Sequence, residues 1–415
     1  MNAELSDAVM VTIVGQGYVG LPLAVAVVNA GHQVIGLEVD FQKVEALNSG
    51  VSHIEDISSE TLEAALKSCS YRASMDFSMV SNSNIVIICV PTPLNDAREP
   101  DLSALILAVE MVAPHLSPGT LVISESTSYP GTARDLVYPI IKKFNPKNAN
   151  SILLASAPER VDPGNARFNH TNTPRLVSGL NLEATRSAAN FYRTFTSEVV
   201  EVSSPEIAET AKLLENTFRQ VNIALVNEIA MICNRLGISV HEVIDAAATK
   251  PYGFMKFTPG AGVGGHCIPV DPSYLSWKAK SVGAPTRFID LANEVNLEMP
   301  HYVGSRLLDL ITKQEDALDI LILGVAYKSG VGDVRETPAE GVALALEAAG
   351  CAVVWHDPLV TNWQGRRKAS LTDRFSGAIV VTSQPGMDIS WVVAQGIPIL
   401  DCTGSLGSTA GVTQL

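Results

Sequence analysis

A cysteine in a glycine-rich segment is the residue with the clearest capacity for chemistry. In the run GAGVGGHC at residues 260–267, four glycines precede Cys267, and Pro269 follows it closely. Such a loop can bring backbone N–H groups close to a ligand, and a thiolate held there is a competent nucleophile. A buried structural cysteine in a tight turn is the alternative, and the adjacent His266 is more often a hydrogen-bonded spacer than a base.

A lysine and an asparagine form a second reactive pair. Lys212 and Asn216 lie four residues apart in a segment with a helical pattern, so they share one helix face. An ammonium and an amide on one face can converge on a single oxygen. The alternative is that both are solvated residues on the surface of the helix.

A glycine turn near the N-terminus is typical of dinucleotide binding. It reads GQGYVG at residues 15–20, follows an apolar strand at residues 9–14 and begins a helix. The glycines permit a tight turn and close approach of the backbone to a pyrophosphate, whose charge the helix N-terminus favours. The residues assigned to cofactor binding in this turn are Gly15, Gly17, Tyr18, Val19 and Gly20.

An acidic residue indicates which dinucleotide is bound. Glu38 lies 23 residues after Gly15, near the end of the second predicted strand, where a carboxylate can accept hydrogen bonds from the adenosine ribose. An acid there repels a 2′-phosphate, so NAD is favoured over NADP, and Asp40 is the competing candidate for this position. Thr92, in the VPTP turn that ends a later strand, is within reach of the cofactor in this interpretation.

The elements that must position these residues alternate between strand and helix. Apolar strands and helices alternate over residues 9–124, which predicts a parallel, doubly wound sheet. A long helix is predicted over residues 203–237, with Pro205 in its first turn and Gly237 as a stop signal. A second, Rossmann-like α/β domain follows from about residue 318. The predicted domains are residues 1–200, 201–314 and 315–415, the middle one helical.

Composition excludes several classes of protein. The 415 residues include 29 basic and 43 acidic side chains, a net charge of −14, which argues against general binding to nucleic acid or anionic membranes. Six cysteines without a CxxC pair indicate neither a disulfide framework nor a metal site, and they suit a reducing compartment. We expect a cytoplasmic protein without a leader or membrane span.

Seven motifs in order resemble one family. The chain is similar to the nucleotide-sugar 6-dehydrogenases of the UDP-glucose/GDP-mannose dehydrogenase superfamily, and the match runs almost end to end. The motifs are GQGYVGLPLA at 15–24, VPTPL at 90–94, ESTSYPGT at 125–132, APERVDPGN at 157–165, AKLLEN at 211–216, GVGGHCIPVDP at 262–272 and GVAYKSGVGDVRETPA at 324–339.

The resemblance implies a reaction of two successive oxidations. It implies a Rossmann domain for NAD, a helical middle domain, a C-terminal domain that binds UDP, and a homodimer. Two NAD⁺ oxidise C6 of the sugar through a thiohemiacetal and a thioester on Cys267. By motif position, Lys212 and Asn216 stabilise the oxyanion. Asp271 assists as an acid/base or by orienting water.

The resemblance assigns five further residues. Thr127 positions water and touches the nicotinamide side, and Glu159 acts as a carboxylate in the same site, as base for thioester hydrolysis. Gly264 lines the sugar pocket. Lys328 contacts the nucleotide, whereas Arg335 reaches NAD, across a domain or subunit boundary.

The chain departs from the family pattern at two places. Ala261 stands where many relatives have a second proline, which alters the loop before the cysteine without removing its chemistry. Ser329 and Gly330 follow Lys328 where relatives often carry charged residues, so the nucleotide contacts of that loop are less defined.

The choice of sugar rests on the amino-acid sequences of two motifs. APERVDPGN and STSYPGT resemble the branch that acts on UDP-N-acetylglucosamine, so this sugar is favoured, followed by UDP-N-acetylmannosamine and then UDP-glucose. A β-hydroxyacid dehydrogenase has no use for the cysteine loop or a second α/β domain. A catalytically silent NAD-sensing or scaffold protein is the alternative from another class, and the intact reactive residues speak against it.

Overall fold

Two compact units make up the chain. The computed structural model describes residues 8–415 apart from 55–56, 163–164, 166, 266–267, 312–317, 371 and 408. The first unit, called the N-terminal unit, comprises Met1–Glu215 and Trp277–Val282, and the C-terminal unit comprises Asn216–Ser276 and Gly283–Leu415. Because residues 266–267 are not described, the candidate nucleophile Cys267 and the adjacent His266 lie outside the described residues.

The N-terminal unit is built on an eight-stranded sheet in the order β3-β2-β1-β4-β5-β6-β7-β8. Strands β1 to β6 are parallel, as the alternation of strand and helix predicts, and most of their residues are buried and apolar. The strands are β1 (Met10–Val14), β2 (Gln33–Leu37), β3 (Tyr71–Ser74), β4 (Ile85–Ile88), β5 (Leu121–Ser124), β6 (Leu153–Ser156), β7 (Arg175–Gly179) and β8 (Val199–Glu201).

The last two strands run against the others. Strand β7 is antiparallel to β6, and β8 is parallel to β7. The described part of the connection from β6 to β7 contains no helix, and an antiparallel step does not need a crossover helix. The alternation of strand and helix in the sequence does not predict the reversed direction of β7.

The helices of this unit begin at side-chain caps where the sequence supplies one. Asp40, Ser58 and Asn181 each accept hydrogen bonds from backbone N–H groups in the first turn that follows. The helices are α1 (Gly20–Asn29), α2 (Phe41–Asn48), α3 (Ser59–Lys67), α4 (Ser103–Val112), α5 (Tyr138–Phe144) and α6 (Leu182–Tyr192). Helices α3, α5 and α6 are absent from the sequence-based assignment.

The C-terminal unit combines helices with a parallel five-stranded sheet of order β10-β9-β11-β12-β13. Its core joins the sheet to helices α10 and α11 and includes two wholly buried tryptophans, Trp355 and Trp363. The strands are β9 (Asp319–Leu323), β10 (Ala352–His356), β11 (Gly377–Val380), β12 (Ile399–Asp401) and β13 (Val412–Gln414). The helices are α7 (Pro205–Leu236), which begins in the N-terminal unit, α8 (Val240–Ala248), α9 (Asp271–Ser281), α10 (Phe288–Leu310), α11 (Pro338–Ala348) and α12 (Ser390–Val393).

Helix α7 is the long helix that the sequence predicts. Its 32 residues span about 48 Å, it starts at Pro205, where a missing N–H costs nothing, and Gly237 follows its end with a φ of +70°. A positive φ is readily adopted by glycine, which explains why the helix stops there.

The two faces of α7 have opposite character. A row of buried polar side chains follows one face, and a row of exposed apolar side chains follows the other. At 100° per residue the apolar row occupies a stripe about 40° wide, opposite the centre of the polar row. The polar row is Glu209, Lys212, Asn216, Gln220 and Asn227, and the apolar row is Ile207, Leu214, Phe218, Leu225, Ile232 and Leu236.

Within the described residues, every helix is too short or too polar to cross a lipid bilayer. The same residues contain no group of three or more histidine, cysteine, aspartate or glutamate side chains placed to hold a metal ion.

Candidate functional site

The glycine turn joins β1 to α1 with each glycine in a different environment. Gly15 has a φ of +89°, and a Cβ added there lies 2.5 Å from the carbonyl oxygen of Cys89. A Cβ at Gly20 lies 1.9 Å from the carbonyl oxygen of Gly15, so the helix packs directly on the turn. A Cβ added at Gly17, by contrast, has no other group within 4 Å. The middle glycine therefore leaves its backbone accessible to a pyrophosphate, as a dinucleotide site requires.

A buried glutamine supports this turn from below. The side-chain Nε2 of Gln16 donates to the carbonyl oxygens of Ile13 (2.9 Å) and Gly15 (3.1 Å). The Tyr71 hydroxyl donates to the side-chain Oε1 of Gln16 (2.9 Å). A Cβ at Gly36 would lie 2.5 Å from the Gln16 side chain, which explains the glycine inside β2. Gln16 stands at a variable position of the motif, and nothing in the sequence points to Tyr71 as its partner.

Glu38, rather than Asp40, faces the glycine turn. Its Oε2 accepts the Gln16 N–H at 3.1 Å, while Oε1 accepts the N–H groups of Val39 (2.9 Å) and Asp40 (3.3 Å). Asp40 instead caps α2, because its Oδ1 accepts the N–H groups of the first turn at 2.9 and 3.3 Å. The turn, the open Gly17 and the adjacent carboxylate together fit the pyrophosphate and ribose of NAD.

Tyr18 and Val19 complete the turn. Both side chains are half-buried and pack against the core of the N-terminal unit. Their main contribution in this structure is to hold α1 against the sheet.

Two loops at the same edge of the sheet bind each other. The Thr92 hydroxyl, after β4, donates to the carbonyl oxygen of Thr127, after β5, at 2.7 Å. The Ser126 hydroxyl accepts the Val90 N–H at 3.0 Å and donates to the Val90 carbonyl oxygen at 2.8 Å. Because β1, β4 and β5 are parallel neighbours, these loops and the glycine turn lie at the carboxyl ends of the strands, where α/β sheets bind ligands.

Glu159 follows β6 at this edge and is surrounded by hydrogen-bond donors and positive charge. Its Oε1 accepts the N–H groups of Arg160 and Val161, both at 2.6 Å, and its Oε2 lies 3.1 Å from Arg175 and 3.3 Å from His170. Burial opposes ionisation, but the charges of Arg175 and His170 outweigh it and hold the pKa of Glu159 well below its ordinary value.

Arg175 also pairs with a second buried carboxylate. Its Nη1 lies 3.0 Å from Oε2 of Glu125, and the Tyr192 hydroxyl donates to Oε1 of Glu125. Burial raises the pKa of Glu125 to about 7, although the charge of Arg175 opposes the shift. Sequence reasoning missed Arg175, Glu125 and His170 as a network, although Glu125 begins the ESTSYPGT motif.

Lys212 lies near this network. It is buried on α7, and its positive charge contributes to lowering the pKa of Glu159. One turn earlier, Glu209 accepts the N–H groups of Gly131 (2.7 Å) and Ala133 (3.1 Å), at the end of the loop that contains Thr127. Helix α7 therefore carries both a cation beside Glu159 and an anchor for the Thr127 loop.

The C-terminal unit holds the remaining polar pair. Asn216, on α7, donates from Nδ2 to Oδ2 of Asp271 at 2.5 Å, and both side chains are buried. Asp271 is the first residue of α9 and follows Cys267 by four residues. The second N–H of the Asn216 amide remains able to donate to a substrate oxygen.

The glycine segment before Cys267 is closely packed. A Cβ at Gly264 would lie 2.6 Å from Pro338 and 3.0 Å from Tyr327, and a Cβ at Gly265 would lie 2.8 Å from the Tyr327 ring. Ala261 is buried in the hydrophobic core of the unit. Close packing alone therefore explains why residue 264 is a glycine.

Lys328 and Arg335 lie in the loop that follows β9. Arg335 binds both carboxylate oxygens of Asp333, with N···O distances of 2.6 to 3.0 Å. The Ser329 hydroxyl donates to the carbonyl oxygen of Ser383 at 2.6 Å, and the Gly330 N–H donates to Gln384 at 2.8 Å. The two residues that depart from the family pattern thus anchor the loop carrying Lys328.

Three models of one family match the chain in succession. The UDP-glucose/GDP-mannose dehydrogenase family's NAD binding domain matches residues 9–196, its central domain 206–298 and its UDP binding domain 321–385.

Named relatives cover most of the chain. A UDP-N-acetyl-D-glucosamine 6-dehydrogenase of Salmonella typhi is 36% identical over 368 residues, covering 87% of this chain and 85% of the relative. The solved structure of a UDP-D-ManNAc dehydrogenase from Pyrococcus horikoshii has a TM-score of 0.89 at 29% identity and covers 98% of each chain. A UDP-glucose dehydrogenase from Pyrobaculum islandicum has a TM-score of 0.88 at 25% identity, covering 100% of this chain and 98% of that one.

The glycine turn with its carboxylate, the buried polar pairs and the extent of these matches agree with one another: the chain belongs to the UDP-glucose/GDP-mannose dehydrogenase family and is an NAD-dependent UDP-sugar dehydrogenase.

Proposed function

We propose that the protein oxidises the C6 hydroxyl of a UDP-N-acetylhexosamine, with UDP-N-acetylglucosamine favoured, to the UDP-hexosaminuronate. The observation that carries the proposal is the buried hydrogen bond between Asn216 and Asp271, four residues after Cys267. This bond pairs a neutral donor with a carboxylate that is close in sequence to the proposed nucleophile. Those are the groups that an alcohol oxidation followed by thioester chemistry requires.

The first oxidation needs stabilisation of an alkoxide. Lys212 is a buried cation, and Asn216 has an N–H available for the same oxygen, so both favour loss of the hydroxyl proton. NAD, when bound, accepts the hydride that leaves C6 in each of the two oxidations. Thr127 lies in the loop beside Thr92, on the cofactor side of the N-terminal unit.

The second oxidation needs the thiol. The Cys267 thiolate adds to the aldehyde carbon, and the resulting oxyanion takes up a proton to give a thiohemiacetal. Loss of a hydride and the hydroxyl proton leaves a thioester. Water then adds to the carbonyl carbon, the C–S bond breaks and the thiolate is restored. The sum is alcohol, two NAD⁺ and water converted into carboxylate, two NADH and three protons.

Hydrolysis of the thioester requires a water molecule that is oriented towards the carbonyl carbon. Arg175 and His170 hold the pKa of Glu159 well below its ordinary value, and a carboxylate of low basicity is a weak general base. We therefore assign Glu159 to orienting water, and Asp271 keeps its assignment as an acid/base or water-orienting carboxylate. Gly264, Lys328 and Arg335 remain assigned to the sugar, the nucleotide and NAD respectively.

The choice of sugar rests on the relatives. The Salmonella typhi relative is named for UDP-N-acetyl-D-glucosamine, whereas the two solved structures are named for UDP-ManNAc and UDP-glucose. UDP-N-acetylmannosamine and UDP-glucose are therefore the alternatives. A non-catalytic protein is the other class, and it predicts no stabilisation by a UDP-sugar beyond that given by NAD.

The test counts NADH against a limiting amount of each UDP-sugar. We expect about two NADH per UDP-N-acetylglucosamine, which follows from the two oxidations of the proposed reaction. With Cys267→Ser we expect the reaction to stop after about one NADH. Full two-step turnover by Cys267→Ser would overturn covalent catalysis. Turnover of UDP-glucose alone would overturn the choice of sugar.

The domain limits proposed are residues 1–200, 201–314 and 315–415. The matched ranges 9–196, 206–298 and 321–385 support these limits, since each falls inside one proposed domain.

We place the protein in the cytoplasm, and the buried free thiols of Cys89, Cys233, Cys351 and Cys402 suit that reducing compartment.

A homodimer through α7 is also proposed. The apolar row of this helix is exposed in the single chain, and a contiguous apolar stripe of this length marks a protein interface. A second copy fits it because the same stripe is self-complementary about a twofold axis.

The oligomeric state tests this proposal directly. We expect Leu225→Glu to give a monomer by light scattering on a size-exclusion column. Leu344→Glu on α11 is the matched control, since Leu225 is 54% and Leu344 is 53% exposed. A wild-type monomer, or a dimeric Leu225→Glu variant, would contradict an interface on α7.

A further inference from the structure

Asn227 connects α7 to the glycine segment before Cys267. The side chain is wholly buried, and its Oδ1 accepts the N–H of Gly260 at 2.9 Å. Gly260 is the first residue of the glycine-rich run that leads to the cysteine. A wholly buried amide is thus bonded to the start of that run.

A second buried asparagine fixes the orientation of the first. Asn227 donates from Nδ2 to Oδ1 of Asn296, on α10, at 3.0 Å, and Asn296 donates from its own Nδ2 to the carbonyl oxygen of Gln220 at 3.2 Å. Because Nδ2 of Asn227 faces the Asn296 oxygen, the amide is oriented with its own oxygen towards the Gly260 N–H. The pair therefore holds one acceptor at one place.

The described residues that follow Gly260 have little room to move. A Cβ at Gly262 would lie 3.1 Å from the carbonyl oxygen of Asn296, so α10 forms one wall of the loop. Tyr327 forms another wall at Gly265, at 2.8 Å. A segment bonded at its start and confined on two sides keeps a defined path.

We propose that Asn227 is a positioning residue for the thiol chemistry: its bond to Gly260 fixes the path of residues 260–265, the described segment that precedes Cys267 in sequence. The inference rests on the proposed role of Cys267 in the second oxidation. Asn227 touches neither substrate nor cofactor in this scheme. Its effect falls on the step that uses the thiol, because covalent attack tolerates little misplacement of the nucleophile.

The test compares Asn227→Ala with Asn227→Asp. Alanine removes the acceptor for Gly260, whereas aspartate has the same shape and keeps an oxygen at that place. For Asn227→Ala we expect kcat to fall about 100-fold, the size of effect that follows a displacement of about 1 Å. KM for NAD should stay within about twofold. With a trap for free aldehyde present, the yield should fall from about two NADH per sugar towards one. Asn227→Asp should recover most of the kcat and of the yield at low pH, where the protonated carboxyl also replaces the donor to Asn296, and less at high pH, where it ionises.

A matched control lies on the same helix. Asn234 donates from Nδ2 to the Tyr302 hydroxyl at 2.9 Å, at an exposed position. Asn234→Ala should therefore keep wild-type kcat and yield. If Asn227→Ala does not fold, Asn227→Ser takes its place, because the shorter hydroxyl cannot span the distance to Gly260 and should lower the yield in the same way.

The outcomes separate this inference from the function on which it rests. A folded Asn227→Ala or Asn227→Ser variant with wild-type kcat and about two NADH per sugar would overturn it. An Asn227→Asp variant as impaired as Asn227→Ala at every pH would also overturn it, since the acceptor would then not be the cause. Failure of the proposed function is seen elsewhere, in a Cys267→Ser variant that still yields about two NADH.

Discussion

Asn216 donates its side-chain amide to the carboxylate of Asp271 at 2.5 Å, and both groups are buried. One N–H of the amide is thereby committed, and the orientation of the other is set. A donor whose direction is fixed before the substrate arrives stabilises a developing oxyanion without reorganisation. In the proposed reaction, this bond preorganises the Asn216 amide as an oxyanion donor.

Replacement of Asn216 tests this role. We expect Asn216→Ala to lower kcat by about 100- to 1,000-fold, the usual effect of removing one oxyanion donor, with little change in KM for NAD. Asn222→Ala is the control, because the Asn222 amide only donates to the Phe218 carbonyl oxygen of the same helix. Steady-state kinetics of both variants provide the check. Equal kcat values for the two variants would contradict the assignment.

Glu38 and Asp40 are distinguished by cofactor affinity. Glu38→Ala removes the acceptor expected for the ribose hydroxyls and leaves the Gln16 N–H without its carboxylate, so Kd for NAD should rise at least about tenfold. Asp40→Ala removes only the cap of α2, which should cost about 1 kcal/mol of stability and leave Kd within about twofold. Calorimetric titration with NAD measures both. The roles would have to be exchanged if Asp40→Ala had the larger effect.

Arg175 balances the charges of two buried carboxylates. Arg175→Met leaves Glu125 and Glu159 without their shared cation, so the free energy of unfolding at pH 8 should fall by about 3–5 kcal/mol. Arg193→Met, which breaks an exposed pair with Glu201, should cost less than about 1 kcal/mol.

The loss of unfolding free energy in Arg175→Met, relative to wild type, should also depend on pH; this loss is called the deficit below. Without the cation the pKa values of both carboxyl groups rise, so both take up protons as pH falls and their uncompensated charge disappears. The deficit should therefore shrink between pH 8 and pH 5 in urea unfolding. A deficit that is constant with pH would show that lost packing, rather than charge, is the cause.

Glu209 makes stability depend on pH with the opposite sign from an ordinary paired carboxylate. Burial raises its pKa to about 7, from 4.5, although the N–H groups of Gly131 and Ala133 oppose the shift, and the charges of Glu206 and Asp135 add to it. Between these two values the unfolded chain has lost a proton that the folded chain keeps. The contribution of Glu209 to stability is therefore full below pH 4.5 and falls by roughly 3 kcal/mol as pH rises to about 7.

Urea unfolding of wild type and Glu209→Gln at several pH values measures this contribution. The stability of the variant relative to wild type should increase from pH 4.5 to 7, because glutamine does not titrate. Glu206→Gln serves as a control that should show no slope over this range, since hydrogen bonds from Arg134 and Ser204 lower the pKa of Glu206 despite its partial burial and its contribution changes only below pH 4.5. Parallel curves for wild type and Glu209→Gln would contradict the raised pKa.

The cofactor turn could be predicted from sequence because its determinants are local. Strand, glycines and helix follow one another, and the pattern also locates Glu38, whose contact with Gln16 the structure then shows. The end of α7 at Gly237 was predictable for the same reason, since a single glycine with a positive φ decides it.

The buried networks could not be predicted, because they join residues that are distant in sequence. Arg175 meets Glu125 only through the order of strands β5, β6 and β7, and the reversed direction of β7 leaves no local signal. Asn227 and Gly260 are 33 residues apart, and an asparagine in a helix has no pattern that identifies its partner. Short polar helices such as α3 were missed because their apolar faces are narrow.

The reversed faces of α7 have a consequence for handling the protein. Part of the apolar surface of this helix, including Leu214, Leu225 and Ile232, stays in contact with water in the single chain and gains nothing from water exclusion there. If a second copy packs against its outer face, dilution dissociates the dimer and lowers the stability of each chain. The melting temperature should then rise with protein concentration, and stocks diluted to nanomolar levels for assay should lose activity with time.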